Sequence, residues 1–404
     1  MNTNKSCHSR RQFMGLVGAG YAGVMIQGSM KPVPAAVKIL NQQEGMAYRR
    51  LGQTELMVSE VCFGGSPAPV ERVLHEAIER GVNYIDTSSV YQNGNSELII
   101  GKCIKGRRDE IIITTKFHPS KAETADDLIK EAEGSLKRLG VDHVDMMLVH
   151  QVRSPEQAAE EKVLSAFERL KKDGKIRFMG VSVHRNVMDI LPKIIKTDKY
   201  SMAMINYNSY SSVYKNKKPS EDLYADSGFN TLFDMAQKHD MGIIAMKVQG
   251  GGNNQKLDKF LTGDTTAAQA KIKWALSRPE VASVCSRMTN VEHLRENLGA
   301  IDQKLSMSEE GALKEYCLAD SEETCRMCGA CEKVCVRGLK ISDILRYRMY
   351  AYNYGELHLA RQKYARLPNK NSFTSCTDCG RCETACPFGV DIRQGIRTAH
   401  EMLA

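Results

Sequence analysis

Short apolar and β-branched runs alternate with amphipathic stretches of helical period over residues 58 to about 303. The runs that we predict as strands are 58–64, 83–87, 111–117, 144–149, 176–183, 202–207, 242–248 and 281–286. Between them, segments such as Thr124 to Leu139 and Glu156 to Lys172 carry apolar residues at helical spacing. Gly140 follows the first of these segments, where glycine commonly ends a helix.

Eight strand-helix units in about 250 residues predict a (β/α)8 barrel. Doubly wound sheets alternate in the same way but usually stop at five or six strands, so they agree less well with the pattern. In such a barrel the chemically active side chains lie at the carboxyl ends of the strands. The strand ends are therefore where we look for a site.

Four reactive side chains stand at or just beyond three consecutive strand ends. Asp86 and Tyr91 follow the second strand, Lys116 lies near the end of the third, and His150 comes after the fourth. Reducing a carbonyl requires a proton at oxygen, and a tyrosine with a pKa of about 10 is a poor acid at neutral pH. A nearby ammonium lowers the pKa of a phenol, a carboxylate holds the ammonium, and an imidazole can orient the carbonyl. Each residue alone has a structural explanation, but together they predict a catalytic site.

These residues lie in a recognisable context. Asp86-Thr87-Ser88-Ser89-Val90-Tyr91, with Gly94, Ser96-Glu97 and Gly101-Lys102 after it, resembles the aldo/keto reductase signature, and the intervals to Lys116 and His150 agree with the catalytic tetrad of that family. The resemblance covers residues 48–303. It implies a small carbonyl or sugar substrate and NADP(H) as cofactor, with NAD(H) as the open alternative. It also implies Tyr91 as the acid, Lys116 and Asp86 as the groups that tune it, and His150 as the residue that orients the substrate.

The expected nicotinamide pocket departs from the family pattern. Ser182 matches a residue that holds the carboxamide, but Val183 stands where the family has asparagine. Met204 replaces a glutamine, and Met246 replaces the aromatic residue that usually stacks on nicotinamide. Each lost polar contact could cost about 1 kcal/mol of binding, partly offset by methionine contacts.

The region after the last strand resembles the part of the family that grips the adenosine phosphate. Arg287, Glu296 and Asn297 are the candidate cofactor-binding residues there. A guanidinium can bind phosphate oxygens in a bidentate manner, so Arg287 is a candidate for the 2′-phosphate. The alternative is a solvated arginine at the rim.

Eight of the thirteen cysteines form two runs of the pattern C-x2-C-x2-C-x3-C within residues 325–386, and the second run ends in Pro387. This pattern is typical of bacterial ferredoxins, in which the fourth cysteine of each run binds the other cluster. It predicts two [4Fe-4S] clusters, one held by Cys325, Cys328, Cys331 and Cys386 and the other by Cys376, Cys379, Cys382 and Cys335. The alternatives are zinc, which leaves half of each run unused, and disulfides, which do not require this spacing.

The segment between the two runs, Ile341 to Leu367, is basic, rich in tyrosine and helical in pattern. It is longer than the connection in compact two-cluster ferredoxins. The predicted fold class is therefore α/β: a TIM barrel over residues 46–305, followed by a small, mainly helical ferredoxin-like iron-sulfur domain over residues 315–404.

Residues 1–35 hold Lys5, Arg10, Arg11 and Lys31 and no acidic residue, so they carry half of the net charge of +8. Twin arginines, an uncharged stretch of about 16 residues and small residues after it resemble a twin-arginine export signal. We expect export to the periplasm or cell envelope. The stretch is too short for a confident membrane span, and a frayed basic terminus is the alternative.

A G-x-G-x-x-G pattern lies inside this segment, from Gly18 to Gly23. A dinucleotide site of that kind needs a preceding strand and an acidic residue about 20 positions later, and the first acidic residue of the chain is Glu44. We therefore reject it. The rest of the chain has no basic run interleaved with aromatic residues, so we expect no nucleic-acid partner.

The predicted function is reversible hydride transfer between a nicotinamide cofactor and a carbonyl, in an exported protein that carries two clusters for electron transfer. A nicotinamide moves two electrons as hydride and each cluster moves one, but the sequence contains no flavin pattern to divide the pair. One alternative is an exported electron-transfer protein whose barrel does not turn over nicotinamide, with a protein or a quinone as electron partner. Another is a sugar-binding protein with structural clusters.

Overall fold

A computed structural model describes residues 39–212, 228–250, 254–320 and 322–404. The predicted export signal over residues 1–35 lies outside the described residues. By its internal contacts, the chain from Val37 to Ala404 forms one unit, which contains both the barrel and the cysteine-rich region.

The first predicted strand, 58–64, is two strands in the structure. β1 (Tyr48–Arg50) and β2 (Met57–Ser59) form an antiparallel hairpin, and β3 (Val61–Gly64) belongs to the barrel. The residue between β2 and β3, Glu60, explains the division. Its backbone amide donates to the carbonyl of Ala47 at 3.0 Å, and its carboxylate accepts from Arg49 at 2.7 Å.

Seven further strands follow along the chain: β4 (Tyr84–Asp86), β5 (Ile112–Phe117), β6 (Val144–Val149), β7 (Ile176–Val183), β8 (Met202–Asn206), β9 (Gly242–Met246) and β10 (Val281–Ser286). Within the described residues, the eight strands β3 to β10 pair in parallel in chain order, and β10 pairs back onto β3 to close a barrel. The predicted (β/α)8 fold is confirmed.

Helices cover the outside of this barrel. They are α1 (Glu71–Glu79), α2 (Asn95–Cys103), α3 (Ala125–Leu139), α4 (Pro155–Ala159), α5 (Glu161–Lys172), α6 (Val187–Ile195), α7 (Phe229–Lys238), α8 (Asn254–Asp258), α9 (Ala267–Leu276) and α10 (Val291–Leu298). Side chains alternate in direction along each strand, so the strands form one apolar core inside the barrel and another between the strands and the helices. In β5, for example, Ile112 belongs to the apolar cluster inside the barrel and Ile113 to the cluster between strands and helices.

The N-terminal hairpin closes the end of the barrel opposite the strand carboxyl ends. Leu51 follows β1, is fully buried and packs with the residues inside the barrel. A Cβ added at Gly242, the first residue of β9, would lie 2.6 Å from Leu51 Cδ1. The close packing of Leu51 therefore requires glycine at that strand start.

Helix α3 begins and ends as its sequence predicts. Thr124 and Asp127 form a capping box at its start, and Gly140 takes a left-handed conformation after its last residue. The second predicted amphipathic segment is divided into α4 and α5 at Glu160, whose ψ of 135° is not helical. Nearby, the carbonyl of Ala158 accepts a hydrogen bond from the buried Tyr200 hydroxyl at 2.5 Å.

The C-terminal region is helical, as predicted. It contains α11 (Met307–Ala319), α12 (Ala330–Lys333), α13 (Ile341–Tyr352), α14 (Leu357–Ala365), α15 (Arg381–Thr384) and α16 (Ile392–Leu403). The predicted helical segment 341–367 is interrupted at Gly355, which has a φ of 68°. Helices α13, α14 and α16 share a small apolar core that also includes several of the cysteines.

This C-terminal region packs on the barrel face that holds the strand carboxyl ends. Arg185, just after β7, forms an ion pair with Asp343 and donates to the Ser342 hydroxyl at 3.0 Å. Tyr210, in the loop after β8, donates its hydroxyl to Asp320 at 2.8 Å. The rim that is predicted to carry the site is therefore also the rim that the cysteine-rich region covers.

None of the helices in the described ranges is long and apolar enough to span a lipid bilayer.

Candidate functional site

The four residues predicted as catalytic lie together at one rim of the barrel. Asp86 ends β4, Lys116 lies one residue before the end of β5, and His150 follows β6. Tyr91 begins a short 3-10 turn after β4. Parallel pairing of neighbouring strands explains the convergence, because it brings successive strand ends side by side.

A buried ion pair forms the base of this group. Lys116 Nζ donates to Asp86 Oδ1 at 2.5 Å and to the carbonyl of Thr87 at 2.7 Å. The side chains of Lys116 and Asp86 are 0% and 4% exposed. Burial disfavours the ammonium, but the carboxylate of Asp86 outweighs this effect and raises the pKa of Lys116 above its ordinary value. The lysine is therefore charged at neutral pH.

Tyr91 lies against this ion pair. Lys116 Nζ is 5.1 Å from the centroid of the Tyr91 ring. Burial raises the pKa of Tyr91 above its ordinary value, although the charge of Lys116 lowers it. The expected lowering by Lys116 is thus present, but the effect of desolvation is larger, and the phenol stays protonated over the physiological range.

His150 completes the group. Its ring meets the ring of Tyr91 edge-on, with centroids 5.9 Å apart. Burial lowers the pKa of His150 well below its ordinary value, and the charges of Lys116 and His118 act in the same direction. Within the described residues, His150 Nε2 is buried and has no hydrogen-bond partner. This nitrogen is the atom that a polar ligand at the rim could satisfy.

The sequence analysis missed two histidines that border this group. His118 Nε2 lies 2.5 Å from His150 Nδ1, and the His184 ring centroid lies 5.7 Å from that of His150. A signal for His118 was present, because it stands two residues beyond Lys116 and strand residues two apart point to the same face. Glu131 of α3, which binds His118, had no such signal because it is on a helix.

The residues predicted to line the nicotinamide pocket do not all point to the same side of the barrel wall. The Ser182 hydroxyl accepts from the backbone amide of Gln151 at 2.9 Å. Met204 and Met246 belong to the apolar cluster inside the barrel, whereas Val183 packs between the strands and the helices. Asn206, the last residue of β8, brings a polar side chain to the rim two positions beyond Met204, and the sequence analysis missed it.

Arg287, the candidate for the 2′-phosphate, is engaged by the C-terminal region. Its guanidinium forms an ion pair with Glu356, the residue before α14. Asn297 is buried, where it donates to Ser286 Oγ at 2.9 Å and accepts from Gln249 at 2.7 Å. Glu296 is half-buried on the same helix. Both polar atoms of the Asn297 side chain are thus engaged within the barrel, and Arg287 could bind a phosphate only if Glu356 released it.

The first predicted set of four cysteines comes together across the two runs. Cys331 and Cys386 belong to the same buried cluster, so the last cysteine of the second run lies beside the first run. Burial raises the pKa of Cys331, and the neighbouring Cys325, Cys328 and Cys386 act in the same direction. The backbone amide of Met327 donates to Cys325 Sγ at 3.3 Å. Amide hydrogen bonds to sulfur are usual around iron-sulfur clusters.

The second set lines one cavity of about 370 Å³, which includes its open mouth. Cys335, Cys376, Cys379 and Cys382 all border it. None of the twelve cysteines in the described ranges forms a disulfide, and among the same residues no three His, Cys, Asp or Glu side chains converge on a single metal ion. Four sulfurs around a cavity agree with the donor set of a cubane cluster better than with a zinc site.

The two runs share one backbone conformation. The residue before the second cysteine has a positive φ in both, 59° at Met327 and 53° at Asp378. The glycine after that cysteine, Gly329 or Gly380, is left-handed and precedes a four-residue helix. The repeated cysteine spacing thus corresponds to a repeated fold.

The first cysteine run lies against the barrel rim. Lys247, just after β9, has its Nζ 3.9 Å from Met327 Sδ. A Cβ added at Gly329 would lie 3.3 Å from the Asn186 side chain, in the loop after β7. In contrast, the cavity of the second set is bordered only by residues 335–396. The set completed by Cys386 is therefore the one next to the predicted catalytic group.

Comparison with known protein families separates the barrel from the cysteine-rich region. Residues 64–260 match the model of the aldo/keto reductase family. Residues 321–390 match that of the 4Fe-4S dicluster domain.

Individual relatives are similar to the barrel. An uncharacterized oxidoreductase of Bacillus subtilis, YqkF, is 27% identical over 310 residues, which cover 68% of this chain and 98% of YqkF. The aldo-keto reductase AKR11C1 from Bacillus halodurans superposes with a TM-score of 0.55 at 23% identity, covering 67% of this chain and 96% of its own. An aldo-keto reductase from Klebsiella pneumoniae in complex with NADPH gives 0.53 at 24% identity, with 67% and 95% covered. At these identities the two structures show the fold.

Proposed function

We propose that this chain catalyses reversible hydride transfer between a nicotinamide cofactor and an aldehyde, ketone or sugar carbonyl at the barrel rim. The aldo/keto reductase domain, followed by a 4Fe-4S dicluster domain, supports an oxidoreductase. Two [4Fe-4S] clusters in the C-terminal region serve electron transfer.

The observation that carries this proposal is the convergence of Asp86, Lys116, Tyr91 and His150 at one rim, where Tyr91 is partly exposed and the other three are buried. Burying an ion pair and placing a protonated phenol and an unsatisfied imidazole nitrogen around it is costly for stability. Such costs are typical of sites that bind and polarise a ligand. A carbonyl oxygen at the rim could accept hydrogen bonds from Tyr91 and His150.

A bound nicotinamide would supply or take the hydride, as it does generally. The side chains of this protein handle the proton. Tyr91 donates it to the carbonyl oxygen, and Lys116, held charged by Asp86, stabilises negative charge that develops on the phenol oxygen. Ser182 and Asn297 are the candidate contacts for the cofactor, and Arg287 is the candidate for a 2′-phosphate. NADPH is the ligand of the similar Klebsiella pneumoniae structure, so NADP(H) is the preferred form and NAD(H) the alternative.

Each cluster would be held by three cysteines of one run and the fourth of the other. The proximity of Cys386 to the first run and the shared cavity of Cys335 with the second support this crossing. The run next to the rim would hold the cluster that exchanges electrons with the barrel. The outer cluster would meet the electron partner, a protein or a quinone.

A second candidate function is electron transfer without nicotinamide turnover. The ion pair between Arg287 and Glu356 favours it, because this contact occupies the arginine that a 2′-phosphate would need. The contact of Lys247 with the first cysteine run also brings that run close to the region where a nicotinamide would lie.

We also propose that residues 1–35 direct export by the twin-arginine route to the periplasm or cell envelope. This route carries folded proteins with their cofactors in place, which suits a chain with oxygen-sensitive clusters. Replacing both Arg10 and Arg11 by Lys should retain the protein inside the cell, as measured by fractionation. Export of this variant at the normal level would contradict the proposal.

A nucleotide titration distinguishes the two candidate functions. Anaerobic titration of the cluster-loaded protein with NADPH should show binding and, with a carbonyl substrate, oxidation of the nicotinamide. Tyr91→Phe should lower kcat by about 100-fold or more, because it removes the acid, while nucleotide binding persists. Tyr48→Phe, at the closed end of the barrel, is the matched control. Binding of neither NADPH nor NADH, together with clusters that can be reduced by another donor, would favour the electron-transfer function instead.

Glu356→Gln should free Arg287 and tighten NADPH binding by about fivefold, since a half-exposed ion pair is worth about 1 kcal/mol. NADH lacks the 2′-phosphate, so its dissociation constant should not change. Binding is measured by fluorescence titration, with the exposed Glu401→Gln as control. An equal effect on both nucleotides would argue against a 2′-phosphate site at Arg287.

Cysteine variants test the crossed ligation. Cys335→Ser should halve the iron content, and Cys335→Ser with Cys376→Ser should remove no more iron than the single variant. Cys335→Ser with Cys325→Ser should remove nearly all of it. Cys317→Ser, a buried cysteine outside the runs, should keep full iron. If each run instead holds its own cluster, the results of the two double variants are reversed.

A further inference from the structure

A chain of hydrogen bonds outside the predicted tetrad ends on His150. Glu131 Oε1 lies 2.7 Å from His118 Nδ1, and His118 Nε2 lies 2.5 Å from His150 Nδ1. The Glu131 carboxylate also accepts from the Ser89 hydroxyl at 2.7 Å and from the backbone amide of His118 at 3.0 Å. His118 is 8% exposed and His150 4%. The two histidines are thus nearly buried, and the Glu131 side chain, which is 23% exposed, connects to them from α3.

The carboxylate of Glu131 determines which nitrogen of His118 carries a hydrogen. Burial raises the pKa of Glu131, but its hydrogen bonds with His118 and Ser89 and the charge of His118 outweigh this and lower it overall. An ionised carboxylate is only an acceptor, so His118 Nδ1 must carry a hydrogen.

The short contact between the rings then allows two arrangements. The Ser88 hydroxyl also lies 3.4 Å from His150 Nδ1, which is a longer contact than the 2.5 Å between the two rings. One hydrogen lies between His118 Nε2 and His150 Nδ1, because at their separation two would collide and none would leave two lone pairs facing each other. If His118 is neutral, His150 donates from Nδ1 and its Nε2 is bare. If His118 is an imidazolium, it donates to His150 Nδ1, and His150 carries its hydrogen on Nε2.

The two arrangements differ by one proton, and they present opposite chemistry to the rim. His150 Nε2 is the buried nitrogen without a partner in the described residues. In the neutral chain this nitrogen accepts a hydrogen bond, as from an alcohol. In the protonated chain it donates one, as to a carbonyl.

We propose that His118 and Glu131 are positioning residues that determine which of the two His150 nitrogens carries the hydrogen. When the histidine chain is protonated, His150 Nε2 donates to a carbonyl; when it is neutral, His150 Nε2 accepts from an alcohol. This inference rests on the proposed function, because it assigns a role within the same site. It adds a proton store to the tetrad: the positive charge lies on His118 beside Glu131, and His150 remains neutral.

In reduction the carbonyl carbon receives a hydride and its oxygen receives the proton of Tyr91, which together give the alcohol. The alcohol hydroxyl then returns that proton to the Tyr91 oxygen as it takes the hydrogen of His150 Nε2, so the net proton comes from the histidine chain. The hydrogen on His118 Nε2 moves to His150 Nδ1, so His118 becomes neutral and Glu131 stays ionised. Oxidation of the alcohol reverses each transfer. The chain regains or loses one proton to solvent between turnovers.

Several charged groups face the histidine pair and set its midpoint. Glu131 favours the protonated chain. The charges of Lys116 and Lys121 near His150 oppose it. Lys247 and His184 are also close, but burial lowers the pKa of each well below its ordinary value, so they add less positive charge. Reduction is therefore expected below the midpoint and should fall as the pH rises through it.

A measurement without turnover tests the tautomer directly. In protein labelled with 15N-histidine, with oxidised clusters and no substrate, the His150 nitrogens should show Nδ1 protonated and Nε2 bare at high pH, and the reverse at low pH. His118→Phe together with Ser88→Ala removes both groups that can accept a hydrogen from His150 Nδ1, so His150 should carry its hydrogen on Nε2 at every pH. A wild-type His150 with hydrogen on Nε2 throughout, unaffected by this double variant, would overturn the proposal even if the enzyme turns over carbonyls.

The pH dependence of kcat/KM for reduction is the second test. In the wild type it should fall about tenfold per pH unit above the midpoint, because each unit removes nine-tenths of the protonated chain. Glu131→Gln removes the negative charge beside His118 and should move this midpoint down by about one unit or more. His118→Phe should make the profile flat over the same range.

Glu133→Gln is the matched control, because Glu133 lies on α3 two residues later and pairs with Lys175 on the outside. It should leave the midpoint unchanged. If Glu131→Gln lowers activity equally at all pH values, Glu131 is only structural and the proposal fails. If no variant and no wild-type preparation turns over nicotinamide, the proposed function fails, while the labelled histidine spectra still decide the tautomer.

Discussion

The closure of eight parallel strands is the constraint on which the other features of this protein depend. It brings every strand carboxyl end to one rim, so Asp86, Lys116 and His150, from three separate units of the chain, become neighbours. The same rim receives the C-terminal region through Arg185 and Tyr210. The predicted catalytic group and the cysteine runs therefore share an edge, although most of the barrel sequence separates them.

Burial at this rim determines the charge of each group. Desolvation alone would neutralise Lys116, and the adjacent carboxylate of Asp86 prevents it. Burial lowers the pKa of Lys247 well below its ordinary value, the charges of Arg346 and Arg185 act in the same direction, and the carboxylate of Asp343 does not outweigh them. The pKa values of two lysines at one rim thus shift in opposite directions, because only Lys116 lies directly against a carboxylate. The cysteine-rich cover contributes to this, since Lys247 contacts Met327 within it.

Much of the fold was predictable because strand and helix periods are local. Breaks within a predicted element were missed: Glu60 divides strand 58–64, Glu160 divides the helical segment 156–172, and Gly355 interrupts the segment 341–367. The tetrad positions followed from strand ends, and the cysteine sets followed from spacing. Contacts between distant segments were not predictable. Glu131 reaches His118 from a helix, and Glu356 reaches Arg287 from another region, and neither pair has a spacing that sequence alone would reveal.

The crossing of the cysteine sets has a consequence for the order of events during biosynthesis. Cys386 is synthesised long after Cys331, yet it belongs with the cysteines that face the barrel. If the clusters are held as proposed, the inner one cannot receive its fourth thiolate until the second cysteine run has been made. The barrel strands, by contrast, are all made much earlier. A nascent chain would thus present an uncovered barrel to chaperones and proteases, and insertion of iron would complete its cover last.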